Sequence, residues 1–312
     1  MSEAGCSAAR VGQLRAQGVK EADFGGLAQA QQVLRPYTSA DVRQVLALVD
    51  ADRLPGQPAA TPAMLAEALA GRSPIDAGWW AELGPPVTRV AAESDGRVVG
   101  VISWALRPKD GVGMILWLHC QEDPRIADVL IGHALGTFGP IPVQAFQFAT
   151  ALTRGVEALP RRHRAVTHAA LRRAGFRSER LWRYLLIDLP ARGLPHAGGV
   201  RIAPEPGDSH ARRLEIRHGD AAAEAEAVIG LPVEGVGALW WIGVRPEFRR
   251  KGLGRALLGS ALEALDAHGA RAAFLYVEAN AAAGGENDRT AATSLYRSSG
   301  FTQVDSLHSY QR

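Results

Sequence analysis

Two segments of the chain match each other without a gap, and this repeat constrains the fold more than any other feature of the sequence. PKDGVGMILWL (108–118) aligns with PVEGVGALWWI (232–242) at an offset of 124 residues. LRRAGF (171–176) aligns with LYRSSGF (295–301), which places Gly175 opposite Gly300 at an offset of 125. Two matches at nearly one offset indicate a duplicated structural unit. The length of 312 residues is sufficient for two domains.

The composition is that of a globular protein, with 47% hydrophobic and 21% charged residues. No apolar run approaches the ~18 residues of a membrane span, and the first residues lack the apolar core of a signal peptide. Cys6 and Cys120 are too few for a disulfide framework and too isolated for a metal site. We therefore expect a cytoplasmic protein with no membrane association and no metal centre.

The net charge of +3 rests almost entirely on arginine, because lysine occurs only at positions 20, 109 and 251. Together with abundant alanine and glycine, this bias is typical of a GC-rich genome. No aromatic residue is interleaved with RRHR (161–164), as a nucleic-acid surface would favour. A nucleic-acid-associated protein is a further hypothesis, which rests on the basic charge alone.

A basic, glycine-containing stretch, RPEFRRKGLGRALL (245–258), joins an apolar strand pattern to a helical one. Backbone N–H groups at a helix start lack intrahelical acceptors, and glycines let a ligand approach the backbone closely, so the stretch predicts an anion site, most simply for phosphate. A P-loop is excluded because Lys251 precedes Gly252. A dinucleotide fingerprint is excluded because it requires glycine where Leu257 stands.

The pattern Arg249-x-x-Gly252-x-Gly254 after a strand resembles the pyrophosphate-binding loop of the GNAT superfamily, the acyl-CoA-dependent N-acyltransferases. A strand FLYVEAN (274–280) and a helix TAATSLYRSSGF (290–301) follow in that family's order. The resemblance implies an α/β (mixed) fold of two tandem GNAT-like domains, each a twisted, mainly antiparallel sheet flanked by helices. We predict an N-terminal helical extension over 1–32, a degenerate GNAT-like domain over 33–192 and a cofactor-binding, catalytic GNAT domain over 193–312.

The resemblance implies acetyl-CoA as cofactor and assigns residues to it. The end of the loop-bearing strand would pair with the pantetheine arm, and the loop would bind the pyrophosphate. Tyr296, four residues before Gly300, would protonate the departing sulfur. The predicted cofactor-binding residues are Ile242, Val244, Arg249, Arg250, Lys251, Gly252, Leu253, Gly254 and Arg255.

The sequence leaves the general base open. Many family members carry a glutamate near the start of the loop-bearing strand, where this chain has Ala238. Glu278, at the end of FLYVE, and Glu234 are the candidate bases. The repeat counterpart of Glu234, Asp110, is also acidic, so a structural role in a turn is an equal alternative for Glu234. His218 and His308 are further candidates.

The two halves differ where chemistry would require them to agree. The first-half turn QEDPRIADVLIG (121–132) carries three acids and no glycine pair, and Leu171 stands where the second half has Tyr296. The first half is therefore predicted to have kept the fold and lost the cofactor site. The second half lacks the helical segment of 39–87, which in the family walls the acceptor site. We expect the first half to supply part of that pocket.

These patterns predict an N-acetyltransferase in which an amine, on a small molecule or a protein, attacks acetyl-CoA directly in a ternary complex. A non-catalytic acyl-CoA sensor or partner-binding module is an alternative, favoured by the missing acid at Ala238. LYVEAN and TAATSLYRSSGFTQVDSLHSY also resemble mycothiol synthase, itself a tandem GNAT protein. That resemblance implies acetylation of a small thiol-sugar amine, but the chain departs from it at Ala238, in the shortened helical segment and in the loop 281–287. The sequence is also compatible with a homodimer.

Overall fold

The structure, a computed structural model, describes residues 32–73, 76–217, 222–279 and 289–312. The predicted extension over 1–32, apart from its last residue, lies outside the described residues. So do the candidate His218 and the loop 281–287. Within the described residues, no helix has the length and apolar character required to cross a membrane.

The described residues of the first half form seven strands and five helices, with a short 3-10 helix at Ser39–Asp41. The strands are β1 (Val33–Pro36), β2 (Val87–Ala92), β3 (Val98–Arg107), β4 (Val112–His119), β5 (Val143–Ala145), β6 (Leu159–Pro160) and β7 (Arg177–Asp188). The helices are α1 (Val42–Ala51), α2 (Pro62–Leu69), α3 (Ala77–Trp80), α4 (Pro124–Phe138) and α5 (Ala165–Arg173).

The described residues of the second half follow the same order, without helices between the first two strands. Its strands are β8 (Arg201–Glu205), β9 (Asp208–Ile216), β10 (Ala225–Val233), β11 (Val236–Val244), β12 (Ala272–Glu278) and β13 (Thr302–Gln311). Its helices are α6 (Leu253–Ala267) and α7 (Thr290–Ser298), with a short 3-10 helix at Pro246–Phe248. The turn 206–207 joins β8 directly to β9, where the first half inserts α1, α2 and α3 between β1 and β2. The shortening expected from the sequence is therefore present.

All the strands belong to one sheet, with the order β1-β2-β3-β4-β5-β13-β7-β12-β11-β10-β9-β8 and β6 beside β13. The pairing is antiparallel except between β4 and β5 and between β11 and β12. The predicted mixed α/β class, with mainly antiparallel sheets flanked by helices, is confirmed. The two sheets are continuous because each half gives its last strand to a shared centre: β13 pairs with β5, and β7 pairs with β12. We propose that the first domain ends at residue 192 and the second begins at residue 193, between β7 and β8. This boundary divides the chain, while the sheet continues across both parts.

An irregularity at the same place in both halves supports the duplication. The pairing of β3 with β4 skips Leu116, and the pairing of β10 with β11 skips Trp240. These positions differ by 124 residues, which is the offset of the sequence repeat. A bulge of this kind bends the strand and changes which face the following side chains occupy. In β11 it redirects the residues that lead into the basic loop.

The sheet of the second half is covered by different parts of the chain on its two faces. Alternate residues of β12, including Leu275 and Val277, face α6 and its leucines, as the two-residue period of a strand requires. Phe274 faces the other way, into a cluster with Leu54 and Val156 of the first half. The first half thus packs where the second half has no helical segment of its own.

Polar contacts hold the first-half segments that follow α1 and β5 against this second face, which β7 shares with β12. Gln57 Nε2 donates to Tyr184 Oη at 3.2 Å, from the loop after α1 to β7. The guanidinium of Arg154 donates to the carbonyl oxygens of Leu231 and Val236, at the turn between β10 and β11. Arg154 is partly buried, so these two carbonyls supply hydrogen bonds that water does not.

Candidate functional site

The strands β11 and β12 separate part-way along their length. They pair in parallel only from Val236 to Ala238 on β11, opposite Ala272 to Phe274 on β12. Ile242 lies beyond this region and pairs only with β10. Among the described residues, the edge of β11 that faces β12 therefore has no strand partner there, and an extended ligand with its own amide groups can pair with it.

The loop from 245 to 252 leads from this edge to α6. Its last residue, Gly252, is the N-cap of α6, has a φ of 81° and provides no side-chain cap. A Cβ atom at Gly252 would meet nothing within 4 Å, so the space in front of the helix is open. Within the described part of the chain, the backbone N–H groups from Arg250 to Gly254 have no acceptor. These are the donors that a phosphate uses at a helix start.

Cations surround this helix start. Arg250, Lys251 and Arg255 form no ion pair with any described residue. Arg249 closes the loop instead, because its Nε donates to the carbonyl oxygen of Val244 at 3.0 Å. Lys251 Nζ lies 5.3 Å from the ring centroid of Phe248. The helix dipole, the N–H groups without acceptors and three cations without acid partners favour a polyanion such as a pyrophosphate.

The corresponding turn of the first half, residues 120–123, is filled by its own carboxylates. Asp123 Oδ1 accepts hydrogen bonds from the N–H groups of Arg125 and Ile126 at the start of α4, at 2.8 and 3.3 Å. Glu122 Oε2 accepts from the N–H groups of Val166 and Thr167 at the start of α5, at 2.6 and 3.0 Å. The carboxylate of Asp123 thus occupies N–H groups at the start of α4 that a phosphate would use, which supports the prediction that the first half has lost the cofactor site.

We expect Asp123→Ala to lower the free energy of unfolding by about 0.5–2 kcal/mol, because α4 loses its N-cap. Urea denaturation with tryptophan fluorescence measures this change. Asp128→Ala, which removes only an exposed partner of Arg173, is the control and should change stability by less than about 0.5 kcal/mol. Both variants should retain the wild-type affinity for coenzyme A. Loss of affinity in Asp123→Ala would contradict the assignment of the anion site to the second half.

Tyr296 lies on α7, beside the start of α6, since a Cβ atom at Gly254 would stand 3.8 Å from Leu295 Cδ2 of α7. The Tyr296 side chain is 7% exposed, and its ring packs edge-on against Phe301 at 5.7 Å. Its hydroxyl forms no hydrogen bond with any described residue. Burial raises the pKa of Tyr296 to about 12, against the opposing charge of Arg289. The phenol is therefore protonated at neutral pH, as a proton donor must be.

Of the candidate bases, Glu278 lies close to Arg289. It ends β12, and its Oε2 lies 3.9 Å from Nε of Arg289, the same arginine whose charge acts on Tyr296. Glu234 is separated from Val244 by the length of β11, about 30 Å. Its Oε2 accepts a hydrogen bond from the N–H of Ala59 at 3.0 Å. The structure thus places Glu278 beside Arg289 and Glu234 at the contact between the halves.

Two further sequence candidates lie away from the loop. Ala238 is fully buried in the apolar cluster with Phe274, so β11 presents no acid there. His308 pairs with Leu159 on β6, and its Nε2 lies 3.2 Å from Ser306 Oγ. Burial and the nearby charge of Arg161 lower the pKa of His308 to about 4. His308 therefore belongs to the first half of the sheet.

One contact near the site was missed by sequence reasoning. Trp182 lies opposite Glu278 on the neighbouring strand β7. Its Nε1 donates to Glu157 Oε2 at 3.1 Å, from a segment of the first half between β5 and β6. No motif marks Glu157, because it lies outside any periodic segment. The alternation of side chains along β12 predicts that Tyr276 and Glu278 lie on the same face of the sheet. No other sequence pattern indicates this side of the site.

Residues 216–303 match a family model described as an acetyltransferase (GNAT) domain. The mycothiol acetyltransferase of Beutenbergia cavernae is 42% identical over 86 residues, which cover 28% of this chain and 26% of that protein. The mycothiol acetyltransferase of Renibacterium salmoninarum is 35% identical over 79 residues, which cover 25% and 21% respectively. The matches thus span about a quarter of the length of the curated relatives.

Solved structures extend the similarity of fold to both halves. A tandem GNAT protein from the clavulanic acid biosynthesis pathway superposes with a TM-score of 0.61 at 15% identity, covering 90% of this chain and 98% of that one. A GCN5-related N-acetyltransferase from Sphaerobacter thermophilus gives a TM-score of 0.56 at 15% identity, covering 90% and 95%. The chain therefore has the fold of these tandem proteins, and residues 216–303 of its second half are similar to a GNAT acetyltransferase domain.

Proposed function

We propose that the protein is an N-acetyltransferase that transfers the acetyl group of acetyl-CoA to an amine by direct attack within a ternary complex. The observation that carries the proposal is the uncapped, basic N-terminus of α6, which lies beside the unpaired edge of β11 and the helix of Tyr296. An amine on a small molecule or a protein is the acceptor class. Acetyl-CoA supplies an acetyl group already activated as a thioester.

We assign the cofactor-binding role to the loop and the strand before it. The N–H groups from Arg250 to Gly254, including that of Leu253, would bind the pyrophosphate, and the side chains of Arg250, Lys251 and Arg255 would add charge. The backbone of β11 from Ile242 to Val244 would pair with the amide groups of the pantetheine arm. Arg249 would act indirectly, by holding the loop on the carbonyl oxygen of Val244.

The chemistry requires one proton removed from the amine and one delivered to the leaving sulfur. The neutral amine forms a bond to the acetyl carbon, the carbon–sulfur bond breaks, and the sulfur leaves with the electron pair of that bond. Tyr296 Oη would deliver a proton to this sulfur. Tyr296 recovers a proton from solvent, which takes up the proton lost by the new amide nitrogen. The overall exchange conserves atoms and charge.

Two observations favour other candidates, and each has its own test. The buried, apolar surroundings of Ala238 favour an acyl-CoA sensor that binds without turnover. The 42% identity to a mycothiol acetyltransferase over 86 residues favours a small thiol-sugar amine as the acceptor. An assay of thiol released from acetyl-CoA, with d-glucosamine, cysteinyl-glucosamine, spermidine, tyramine and a peptide with a free N-terminus, separates these candidates. Release of thiol with none of these amines would favour the sensor.

We expect one molecule of coenzyme A to bind per chain, because among the described residues only the α6 loop combines open N–H groups with unpaired cations. Isothermal titration calorimetry should give a stoichiometry near one. Two equivalent sites would mean that the acid-filled turn of the first half also binds the cofactor, and would contradict the assignment. Arg250→Glu should weaken this binding, while Arg173→Glu, on the exposed surface of the first half, should leave it unchanged.

A further inference from the structure

Two aromatic side chains form a wall on the face of the sheet opposite α6. Tyr276 of β12 and Trp182 of β7 pack edge-on with their ring centroids 5.2 Å apart. Tyr276 lies two residues beyond Phe274, the last residue of β12 that pairs with β11. The wall therefore begins where β11 and β12 separate, next to the unpaired edge of β11 to which the proposed function assigns the pantetheine arm.

The first half brings a carboxylate to this wall. Glu157 Oε2 accepts the hydrogen bond from Trp182 Nε1 at 3.1 Å. The residues on either side of it, Val156 and Ala158, pack into the apolar cluster that also contains Ala238. The chain thus holds Glu157 on the same face of the sheet as Ala238, the position at which many family members carry an acid.

The surroundings of Glu157 favour a group that changes charge near neutrality. Burial and the carboxylate of Asp76 together raise the pKa of Glu157 to about 7, although the hydrogen bond from the Trp182 N–H acts to lower it. Asp76 is held by the N–H of Ala149, which donates to its Oδ2 at 2.9 Å. The other titratable group that faces Glu157 is Tyr276, whose pKa is raised by burial and by both carboxylates.

The cations near this end of β12 are engaged elsewhere. Arg183 donates to the carbonyl oxygens of Glu278 and Ala279, at 3.2 and 3.4 Å, and Arg180 donates to that of Ala279 at 3.4 Å. Glu278 lies beside Arg289. No arginine is among the groups that shift the pKa of Glu157. Among the described carboxylates of this face, Glu157 is therefore the one placed to receive a proton rather than to pair with a fixed cation.

We propose that Glu157, supplied by the first half, is the general base of the acetyl transfer and takes a proton from an acceptor that arrives as a primary ammonium ion. This inference rests on the proposed function. The N–H bond of the ammonium breaks, its electron pair stays on nitrogen, and the proton moves to a Glu157 carboxylate oxygen. The neutral amine then attacks the acetyl carbon, and Glu157 releases its proton to solvent after the product leaves. The first half, although without a cofactor site, would therefore complete the catalytic site.

The kinetic test uses the full chain, acetyl-CoA and whichever of the named amines supports turnover. A base must be ionised to act, so kcat/KM should rise with pH through about 7 in the wild type. Glu157→Gln should lower kcat/KM by about 10²–10⁴-fold and abolish that rise. Glu278→Gln is the matched control and should keep the rise. A Glu157→Gln enzyme within about threefold of wild type, with the same pH profile, would overturn the inference.

Two variants should move the midpoint of the pH profile in opposite directions. Asp76→Asn removes the charge that raises the pKa of Glu157 but keeps an oxygen for the Ala149 N–H, so the midpoint should fall. Trp182→Phe removes the hydrogen bond that lowers this pKa, so the midpoint should rise. A group other than Glu157 would not respond to both changes in these directions. Midpoints that shift together, or stay fixed, would count against Glu157.

Thermal stability gives a readout that needs no substrate. The pKa of Glu157 is raised from its usual 4.5 to about 7 in the fold, so ionisation destabilises the folded state as the pH rises between these values. Glu157→Gln should therefore match the wild-type Tm at pH 4.5 and exceed it at pH 8. A glutamate with only a packing role would lower the Tm at both values when replaced.

These measurements separate failure of the inference from failure of the proposed function. Wild-type turnover with an unaffected Glu157→Gln enzyme would remove Glu157 and leave the acetyltransferase proposal in place. Binding of coenzyme A without turnover of any amine would remove the enzyme proposal, and with it the role of Glu157 as a base. A Tm that is the same for both proteins at pH 8 would show that Glu157 does not titrate as the site requires.

Discussion

Gly252→Val is expected to raise the Kd of coenzyme A by about 10²-fold or more. The φ of 81° at Gly252 lies in a region that a β-branched residue adopts only under strain. A Cβ atom there points into the open space before α6, where the pyrophosphate would lie. Losing two charge-assisted hydrogen bonds costs about 1.5–3 kcal/mol each, and each 1.4 kcal/mol is tenfold in affinity. Isothermal titration calorimetry measures the change.

Gly269→Val provides a matched control for the backbone strain. Gly269 follows the other end of α6, has a φ of 87°, and a Cβ atom added there would also meet nothing within 4 Å. Both variants should lose a similar amount of thermal stability, about 1–2 kcal/mol, because an L-residue is strained at both positions. Only the change at Gly252 should affect the affinity for coenzyme A. Equal effects of the two variants on affinity would mean that the loop at Gly252 does not bind the cofactor.

The repeat, the basic loop and the order of strands and helices in the second half could be predicted from the sequence because each has a local signal. Glycines, cations and an apolar strand pattern mark the α6 loop within about 20 residues. The shared centre of the sheet has no such signal. The pairing of β13 with β5 joins residues more than 160 positions apart, such as Tyr310 with Ala145. Period-two patterning shows that a strand exists but not which neighbour it selects.

The same distinction applies to the site. Tyr296 could be predicted because it stands at a fixed distance from Gly300, and the structure places its helix beside the loop. Glu234 was a candidate because it is an acid close in sequence to β11, yet it holds the amide of Ala59 at the far end of that strand. Glu157 had no sequence signal, because its position depends on how the two halves pack. Residues that one half supplies to the other become visible only in the folded chain.

The two halves of the duplication therefore have different but connected roles in our proposals. The second half keeps the helix start open for an anion, while the first half closes its own with Glu122 and Asp123. The first half retains α1, α2 and α3 and packs against the face of the second-half sheet that is opposite α6. In these proposals, the first half has lost the cofactor site and the second half has lost the helical segment, so neither half is complete by itself.

Tyr296→Phe is expected to lower kcat by about 10²–10⁴-fold, because it removes a proton donor that acts mainly in the transition state. The phenylalanine ring keeps the edge-on contact with Phe301 at 5.7 Å. The hydroxyl has no hydrogen-bond partner among the described residues, so the Tm should change little. The Kd of coenzyme A should also change little, because binding rests on the α6 loop. Steady-state rates, calorimetry and thermal melts on the same preparation measure the three quantities.

Tyr310→Phe is the control, because it shows the effect of replacing a tyrosine that has only a structural role. Tyr310 is 1% exposed, and its hydroxyl lies 2.8 Å from Nδ1 of His168 in the first half, away from the loop. Its loss removes the hydrogen bond to the partly buried ring of His168, which contributes about 0.5–1.5 kcal/mol to stability. The rate per folded molecule should stay the same. If Tyr296→Phe lost stability in this way and kept a rate within about threefold of wild type, an effect of less than about 0.7 kcal/mol on the barrier, Tyr296 could not be the proton donor.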